Sequence, residues 1–294
     1  YNITDSISGE IPNIGPNDGA KIFNLKSDNF RESIQSLQFA YLMFKNKLIL
    51  SNHGTEILDW LNLSKKENEI PKKASKVCNE GGFAIINKED SMVVMRLPIY
   101  QFRPKQCDAG HLDFWRNGIN KLRDGGSFRY TESEFYDSVE AHNTIQFDRR
   151  DQMKKLSRFL YKLNWPKVEE IGEIIIDKEE TLFEMSYRDS LHCFHKRSVR
   201  LNRNNLIIKD FVSGFREVAM LSWRLEPGDW LNTGMSFTKD KEKITFKSDD
   251  MDLSPILTKQ NESLYYRKKS EIPVVKINLD NAGEVTTICS WETE

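Results

Sequence analysis

The residues best suited to chemistry crowd into positions 107–153, where Asp108, His111, Asp113, Arg123, Asp124, Arg129, Tyr130, His142, Asn143, Asp148, Arg149, Arg150 and Asp151 stand among strand-like runs. His111 and Asp113 flank Leu112, so on a strand their side chains share one face. Asp124 and His142 lie at the edges of later runs that can return beside them. Two imidazoles and a carboxylate converging from separate strands make a zinc site, since nitrogen donors favour zinc over calcium or magnesium. The same residues also fit a plainer role, because a histidine in a strand is more often a hydrogen-bonded structural residue than a ligand. The spacing alone leaves both readings open. His192 and His195, around Cys193, are followed by Arg197 and Arg200 with no carboxylate to complete a metal cluster, and His53 reads as a turn or cap residue.

Positioning such residues needs strands, and the pattern supplies them. Phe30, Ile34, Leu37, Tyr41 and Phe44 recur at helical spacing between Asp28 and Lys45, and Ile57, Leu58, Trp60 and Leu61 give a second short helix an apolar face. Residues 64–76, rich in Lys, Glu and Pro, read as a surface linker. The boundary falls there, giving a helical segment over 1–65 and a β domain over 66–294. From Gly81 onward, runs of β-branched and aromatic residues follow one another: 83–86, 91–97, 111–115, 170–176, 181–187, 206–212, 218–225, 243–246, 274–279 and 285–291. Hairpin turns are expected at Asn117-Gly118, between Asn202 and Asn205, and at 280–283. The expected fold is mainly β: an antiparallel meander whose sheets stack as a sandwich, with a short helical segment at the N-terminal end. Trp115, Trp165, Trp223 and Trp230 are candidates for its core or for sugar platforms.

Composition narrows the partners. With 294 residues, 38% of them hydrophobic, the chain can bury a sizeable core, and a net charge of −1 argues against nucleic acid, whose phosphates demand a basic face. No apolar run approaches the roughly 20 residues of a membrane-spanning helix. The four cysteines lack C-x-x-C pairing and read as free thiols rather than a zinc ribbon or a disulfide framework. The polar start at Tyr1 reads as a cut within a longer protein, whose missing part could include a signal peptide.

Several motifs in order carry a resemblance. Asp108-Ala109-Gly110-His111-Leu112-Asp113, Leu122-Arg123-Asp124-Gly125-Gly126 and Ala141-His142-Asn143-Thr144 resemble the core signature of the heparinase II/III-like family, specifically members from bacterial surface-polysaccharide clusters. Asp151-Gln152-Met153, Arg158-Phe159-Leu160 and Trp223-Arg224-Leu225 extend it, and 12–20 and 31–44 resemble the segment after the family's helical toroid. The resemblance implies a polysaccharide lyase-like protein in which an (α/α) toroid, absent here, packs on this β domain and an acidic polysaccharide lies between them. It implies β-elimination at a uronic acid and a structural zinc held by His111, Asp124 and His142. Many family lyases carry a catalytic histidine two residues before the first ligand, where this chain has Ala109. Within the implied cleft, Arg129 would pair with a uronate carboxylate and Tyr130 would donate a proton. Asn143 and Gln152 would contact sugar hydroxyls, with Asn143 alternatively orienting His142. A non-catalytic glycan-binding or polysaccharide-assembly module on the same scaffold is the alternative reading. Localisation stays open between bacterial periplasm and cytoplasm, and an exposed apolar patch on the sheet or on the Asp28 to Lys45 helix is expected to let copies associate as a homo-oligomer.

Overall fold

The computed structural model describes residues 1–15, 31–49, 56–63, 69–129, 131, 134–157 and 160–292. Among them the strands form three antiparallel sheets and a two-stranded ribbon. The first sheet is a true meander in chain order: Lys76–Cys78, Phe83–Lys88, Ser91–Arg96, Leu112–Arg116 and Ile119–Leu122. Its last hairpin turns at Asn117-Gly118, as the dipeptide predicts. The largest sheet has nine strands, centred on Glu180–Arg188, Phe194–Asn202, Asn205–Ser213, Gly283–Trp291 and Glu242–Lys247. The third has four, ordered Ile256–Tyr265, Lys268–Leu279, Ala219–Arg224 and Ile145–Phe147.

Period-2 alternation explains how these sheets share one core. In Asn205–Ser213 the residues Leu206, Ile208, Asp210 and Val212 are buried while their neighbours are more exposed, and Gly283–Trp291 alternates in the same way. Ala84 and Val93 of the first sheet, Val199 and Ile208 of the largest, and Leu221, Trp223 and Ile277 of the third meet in a single hydrophobic cluster. Fully burying each such side chain contributes about 1.5–3 kcal/mol. Trp115, Trp223 and Trp230 are buried, and Trp165 is partly so. Cys107, Cys193 and Cys289 are buried thiols, Cys78 is half-buried, and none is in a disulfide. No helix of the described residues is long and apolar enough to cross a membrane.

The structure departs from the expectations in several places, among them the run 170–176, which divides between the strands Lys167–Ile171 and Ile175–Ile176. The chain is not one meander, because Gly283–Trp291 inserts between Asn205–Ser213 and Glu242–Lys247. The turn at 280–283 is not a hairpin either: it carries the chain from the third sheet to the largest, since Lys268–Leu279 pairs with Ala219–Arg224 while Gly283–Trp291 pairs elsewhere. Two long strands, Phe194–Asn202 and Ile256–Tyr265, escape the hydrophobic pattern because polar side chains fill many of their positions. Finally, the helix Ile34–Lys45 buries Ile34, Gln38 and Leu42, whereas Phe44 is 86% exposed. Gln38 earns its buried place by accepting the Ile49 N–H at 2.7 Å. The second helix, Glu56–Trp60, buries Leu58 and leaves Trp60 exposed. Phe30, His53 and part of the linker lie outside the described residues.

Candidate functional site

Three short segments bring the predicted residues together. His111 directly precedes the strand Leu112–Arg116, and its carbonyl accepts the Arg96 N–H at 2.8 Å, continuing the pairing of the first sheet. Asp124 follows Ile119–Leu122 in a turn pinned by two glycines. The Gly125 N–H donates to the Ala141 carbonyl at 2.8 Å, and a side chain there would stand 2.9 Å from the Ala141 methyl. Gly126 has φ of +79° and presses on the Ser263 carbonyl, while its N–H donates to Asp124 Oδ1 at 2.7 Å. His142 ends a 3₁₀ turn over Val139–Ala141, whose first N–H is capped by Asp151 Oδ1 at 2.9 Å.

His111, Asp124 and His142 are all buried, and one ligand atom from each lies within 4.8 Å of the others. Nδ1 of His142 stands 2.7 Å from Asp124 Oδ2, and Nε2 of His111 stands 3.7 Å from the same oxygen. Donors around a tetrahedral zinc sit about 3.3 Å apart, so these separations bracket the spacing zinc needs. Nε2 of His142 is buried without a hydrogen-bond partner and points away from the Nδ1 that faces Asp124, so a cation would take one of these nitrogens and not both. Burial disfavours the ionised form of Asp124, but the charge and hydrogen bond of His142, with His111 and the Gly126 N–H, outweigh it and hold the carboxyl well below the usual carboxylate range.

His111 is wired differently. Its Nδ1 accepts the Asn143 N–H at 2.9 Å, so a neutral ring carries its proton on Nε2, 3.0 Å from Asp113 Oδ2. Burial opposes a charge on the ring, while the hydrogen bond and charge of Asp113, followed by Asp124, favour it, and the net direction of its pKa is upward. Ligation through Nε2 displaces the proton facing Asp113, and requires either that the Asn143 N–H turn away or that the ring ionise. Zinc on Nδ1 of His142 would likewise displace the proton that hydrogen-bonds Asp124 Oδ2, so the fit is direct for Asp124 and needs a local rearrangement at both histidines.

Beneath the cluster stands a buried charged pillar in the largest sheet. Arg197 and Asp210 are direct cross-strand partners, joined from Nε to Oδ1 at 2.6 Å and from Nη2 to Oδ2 at 3.1 Å. Nη1 of Arg197 donates to the carbonyls of Gly110, at 2.6 Å, and Asn143, at 2.7 Å, each next in chain to a histidine of the cluster. His195 Nε2 completes the pillar, 2.7 Å from Asp210 Oδ1. Burial pushes the His195 imidazole below its ordinary range, more than Asp210 pulls it up. The folded state thus binds fewer protons on this ring than the unfolded chain does. Its contribution to stability is full above an unfolded pKa of about 6.5 and falls as pH drops through that value. We expect the unfolding free energy of wild type relative to His195→Gln to fall between pH 7.5 and 5.5, by up to about 1.4 kcal/mol per unit below pH 6.5. Urea titrations across that range check it, and a pH-independent difference would refute it.

The cluster opens to solvent on one side, where His111, Asp113 and Asp124 line a cleft of about 400 Å³. Its wall is the long connection between Ser91–Arg96 and Leu112–Arg116, which brings Arg96, Tyr100, Arg103, Lys105, Gln106 and Asp108 to the edge. Asn13 closes the other side, donating to Asp124 Oδ1 at 2.9 Å.

Residues 70–283 match the model of the heparinase II/III-like C-terminal domain. The chain belongs to the heparinase II/III-like family. The match runs well past Leu225, farther than the motifs alone extend, and leaves the segments 12–20 and 31–44 outside it. A search of curated protein sequences returns no match. Among solved structures, a heparinase III gene product superposes with a TM-score of 0.74 at 18% identity, over 100% of this chain and 45% of that one. The heparan sulfate lyase HepC of Pedobacter heparinus gives 0.69 at 15% identity, over 99% of this chain and 45% of that one. A further heparinase III structure gives 0.68 at 13%, over 97% and 45%. These likenesses establish the fold, and the chain spans less than half the length of each.

The other predicted residues of this heparinase II/III-like domain are not gathered in the cleft. Asn143 is fully buried, its Nδ2 donating to the Leu112 and Arg123 carbonyls at 2.9 and 3.2 Å, and its Oδ1 accepting the Arg224 N–H at 2.7 Å. Gln152 is likewise buried and clamps the backbone of residue 109, accepting its N–H at 2.9 Å and donating to its carbonyl at 3.0 Å. In this arrangement both amides act as struts of the site and present no free group to a sugar. The methyl of Ala109 belongs to the main core. Arg129 stacks near Phe128 at 5.3 Å and does not line this cleft, and Tyr130 lies outside the described residues. Sequence reasoning missed the roles of Asn13, Asp113, Arg197 and Asp210. Only Asp113 carried a signal, its i,i+2 spacing from His111.

Proposed function

We propose that this chain is the β domain of a polysaccharide lyase-like protein that holds a uronate-containing acidic glycan in the cleft over a structural zinc. The observation that carries the reading is the His111–Asp124–His142 cluster, of which His111 and Asp124 line a cleft whose wall bears Arg96, Arg103 and Lys105 while His142 is fully buried. Without a cation the floor is anionic, because Asp108, Asp113 and Asp124 all line it. Bound by His111, Asp124 and His142, zinc would supply charge that offsets those carboxylates and would brace the segments that carry them. The cleft would then suit an anion.

In β-elimination a base removes the proton at C5 of the uronate while its carboxylate is neutralised, and an acid protonates the leaving oxygen. The cationic wall is suited to the neutralising part. Tyr130 remains the candidate within this chain for proton donation, Arg129 stands outside the lining of this cleft, and further groups would come from the rest of a longer protein. Asn143 and Gln152 would serve by holding the loops in place. Ala109 favours a second reading, because its methyl offers no proton-transfer group where many family lyases carry a histidine. On that reading the domain binds glycan without cleaving it.

Two measurements test the proposal. Elemental analysis is expected to find about one zinc per chain in wild type, and its loss in Asp124→Ala and His142→Ala. Metal-free wild-type protein purified without chelator would sink the zinc assignment. Incubation of the full-length protein with uronate polysaccharides is expected to generate the ultraviolet absorbance of an unsaturated uronate. Binding without that signal would establish the non-catalytic reading instead.

A further inference from the structure

Three side chains that line the cleft carry buried hydrogen-bond donors with no acceptor: Nε of Arg96, the hydroxyl of Tyr100 and Nε2 of Gln106. Folded proteins leave few such groups, and each costs the desolvation of an unused donor. Such atoms occur elsewhere in this domain too, at Trp115, Arg116 and Tyr136 among others, and three of them fall on this one wall. Gln106 is only 3% exposed. Arg96 is held in place by its Nη1, which donates to the Gly81 carbonyl at 2.6 Å, while its Nε lies 3.5 Å from Asp108 Oδ2 without a hydrogen bond. Burial, reinforced by Asp108, pushes the Tyr100 hydroxyl well above its ordinary pKa, so it stays a donor. Its ring is set edge-on against Trp165 at 6.0 Å.

Outside these donors, Arg103 and Lys105 are exposed at the mouth, and Phe102 beside them is 83% exposed. Asp108 and Arg96 offset each other, so the positive charge at the mouth of this wall is that of Arg103 and Lys105, while Glu80, Asp113 and Asp124 make the rest of the lining negative until a cation binds. Donors without acceptors, under a cationic mouth, suit a ligand group that offers acceptors and negative charge but no donors.

We propose that the connection between Ser91–Arg96 and Leu112–Arg116 is an oxyanion subsite, where Arg96, Tyr100 and Gln106 grip a carboxylate or sulfate of the glycan and Arg103 and Lys105 guide it in. The subsite rests on the anionic-glycan reading above and adds to it the residues that select the charged substituent. Tyr100 and Gln106 are the specificity-determining pair, because a neutral donor inside the wall discriminates by geometry where a surface cation does not.

The test is a binding titration of the protein against three labelled polymers: polygalacturonate, which carries carboxylates only; dextran sulfate, which carries sulfate esters only; and neutral dextran. Wild type is expected to bind one or both anionic polymers and not dextran, the preferred one naming the substituent. Tyr100→Phe and Gln106→Leu are each expected to weaken that binding about tenfold, the loss of one hydrogen bond to a charged group. Unchanged affinity in Tyr100→Phe, which removes a single oxygen and leaves the fold intact, would overturn the subsite even if Gln106→Leu destabilises the domain. Loss only in Arg103→Gln/Lys105→Gln would overturn it too, because surface charge alone would then hold the polymer. Failure of wild type to bind either anionic polymer would instead overturn the anionic-glycan reading, and the subsite with it.

Discussion

Asp210→Ala is expected to destabilise the domain by about 3–5 kcal/mol, the cost of stranding a buried charge. Arg197 has no exposed surface, and Asp210, equally buried, is its only carboxylate partner among the described residues. The two carbonyls that Arg197 also binds, of Gly110 and Asn143, satisfy its hydrogens but do not neutralise it. They also carry the damage outward, since each adjoins a histidine of the candidate metal cluster. For a domain of this size the loss corresponds to a fall in Tm of roughly 10 °C. Asp210→Asn, which keeps the shape and one acceptor, is expected to lose less. Urea unfolding checks both. A loss under about 1 kcal/mol in the alanine variant would mean that backbone carbonyls suffice to hold a buried guanidinium here.

The second large effect is expected at Gly126. Its φ of +79° is unfavourable for any residue with a side chain, and a β-carbon there would collide with the backbone carbonyl of Ser263, which cannot move without disturbing the strand Ile256–Tyr265. Strain and collision together put Gly126→Ala at about 3–5 kcal/mol. The consequence reaches the site, because the Gly126 N–H fixes Asp124 Oδ1 and thereby the angle at which Oδ2 meets His142. Loss of stability together with loss of bound zinc is the expected result. Wild-type behaviour in both would show that the turn relaxes freely, contrary to the close packing of Gly125 against Ala141.

Much of this was written in the chain. Strands such as Asn205–Ser213 and Gly283–Trp291 alternate apolar with polar residues, and a side chain's face follows from its parity alone. The hairpin at Asn117-Gly118 is equally local, since two residues able to adopt positive φ specify it. The strand Phe194–Asn202 shows where such reading stops. His195 and Arg197 occupy buried positions in its alternation, so by composition the strand looks solvent-exposed, and only the opposing Asp210, thirteen residues from Arg197 in sequence, makes their burial tolerable. The turn at 280–283 shows a second limit: its residues specify a reversal of direction but not which sheet receives the next strand.

For the site, the residue types and their i,i+2 spacing, together with the family motifs, already marked His111, Asp124 and His142. Their types are intrinsic, and motif order survives without coordinates. What the tertiary structure decided is how each is held and what faces it: Asp113 and the Asn143 N–H set the His111 ring, Asn13 arrives from more than a hundred residues away, and Arg197 props both histidine-bearing loops. It also decided that Asn143 and Gln152 are turned to backbone groups and that Tyr100 and Gln106 keep unmatched donors. The physical reason is that a hydrogen bond or a buried charge depends on its partner, and partners brought together by sheet stacking are distant in sequence, whereas alternation, turn chemistry and donor type belong to each residue and its immediate neighbours.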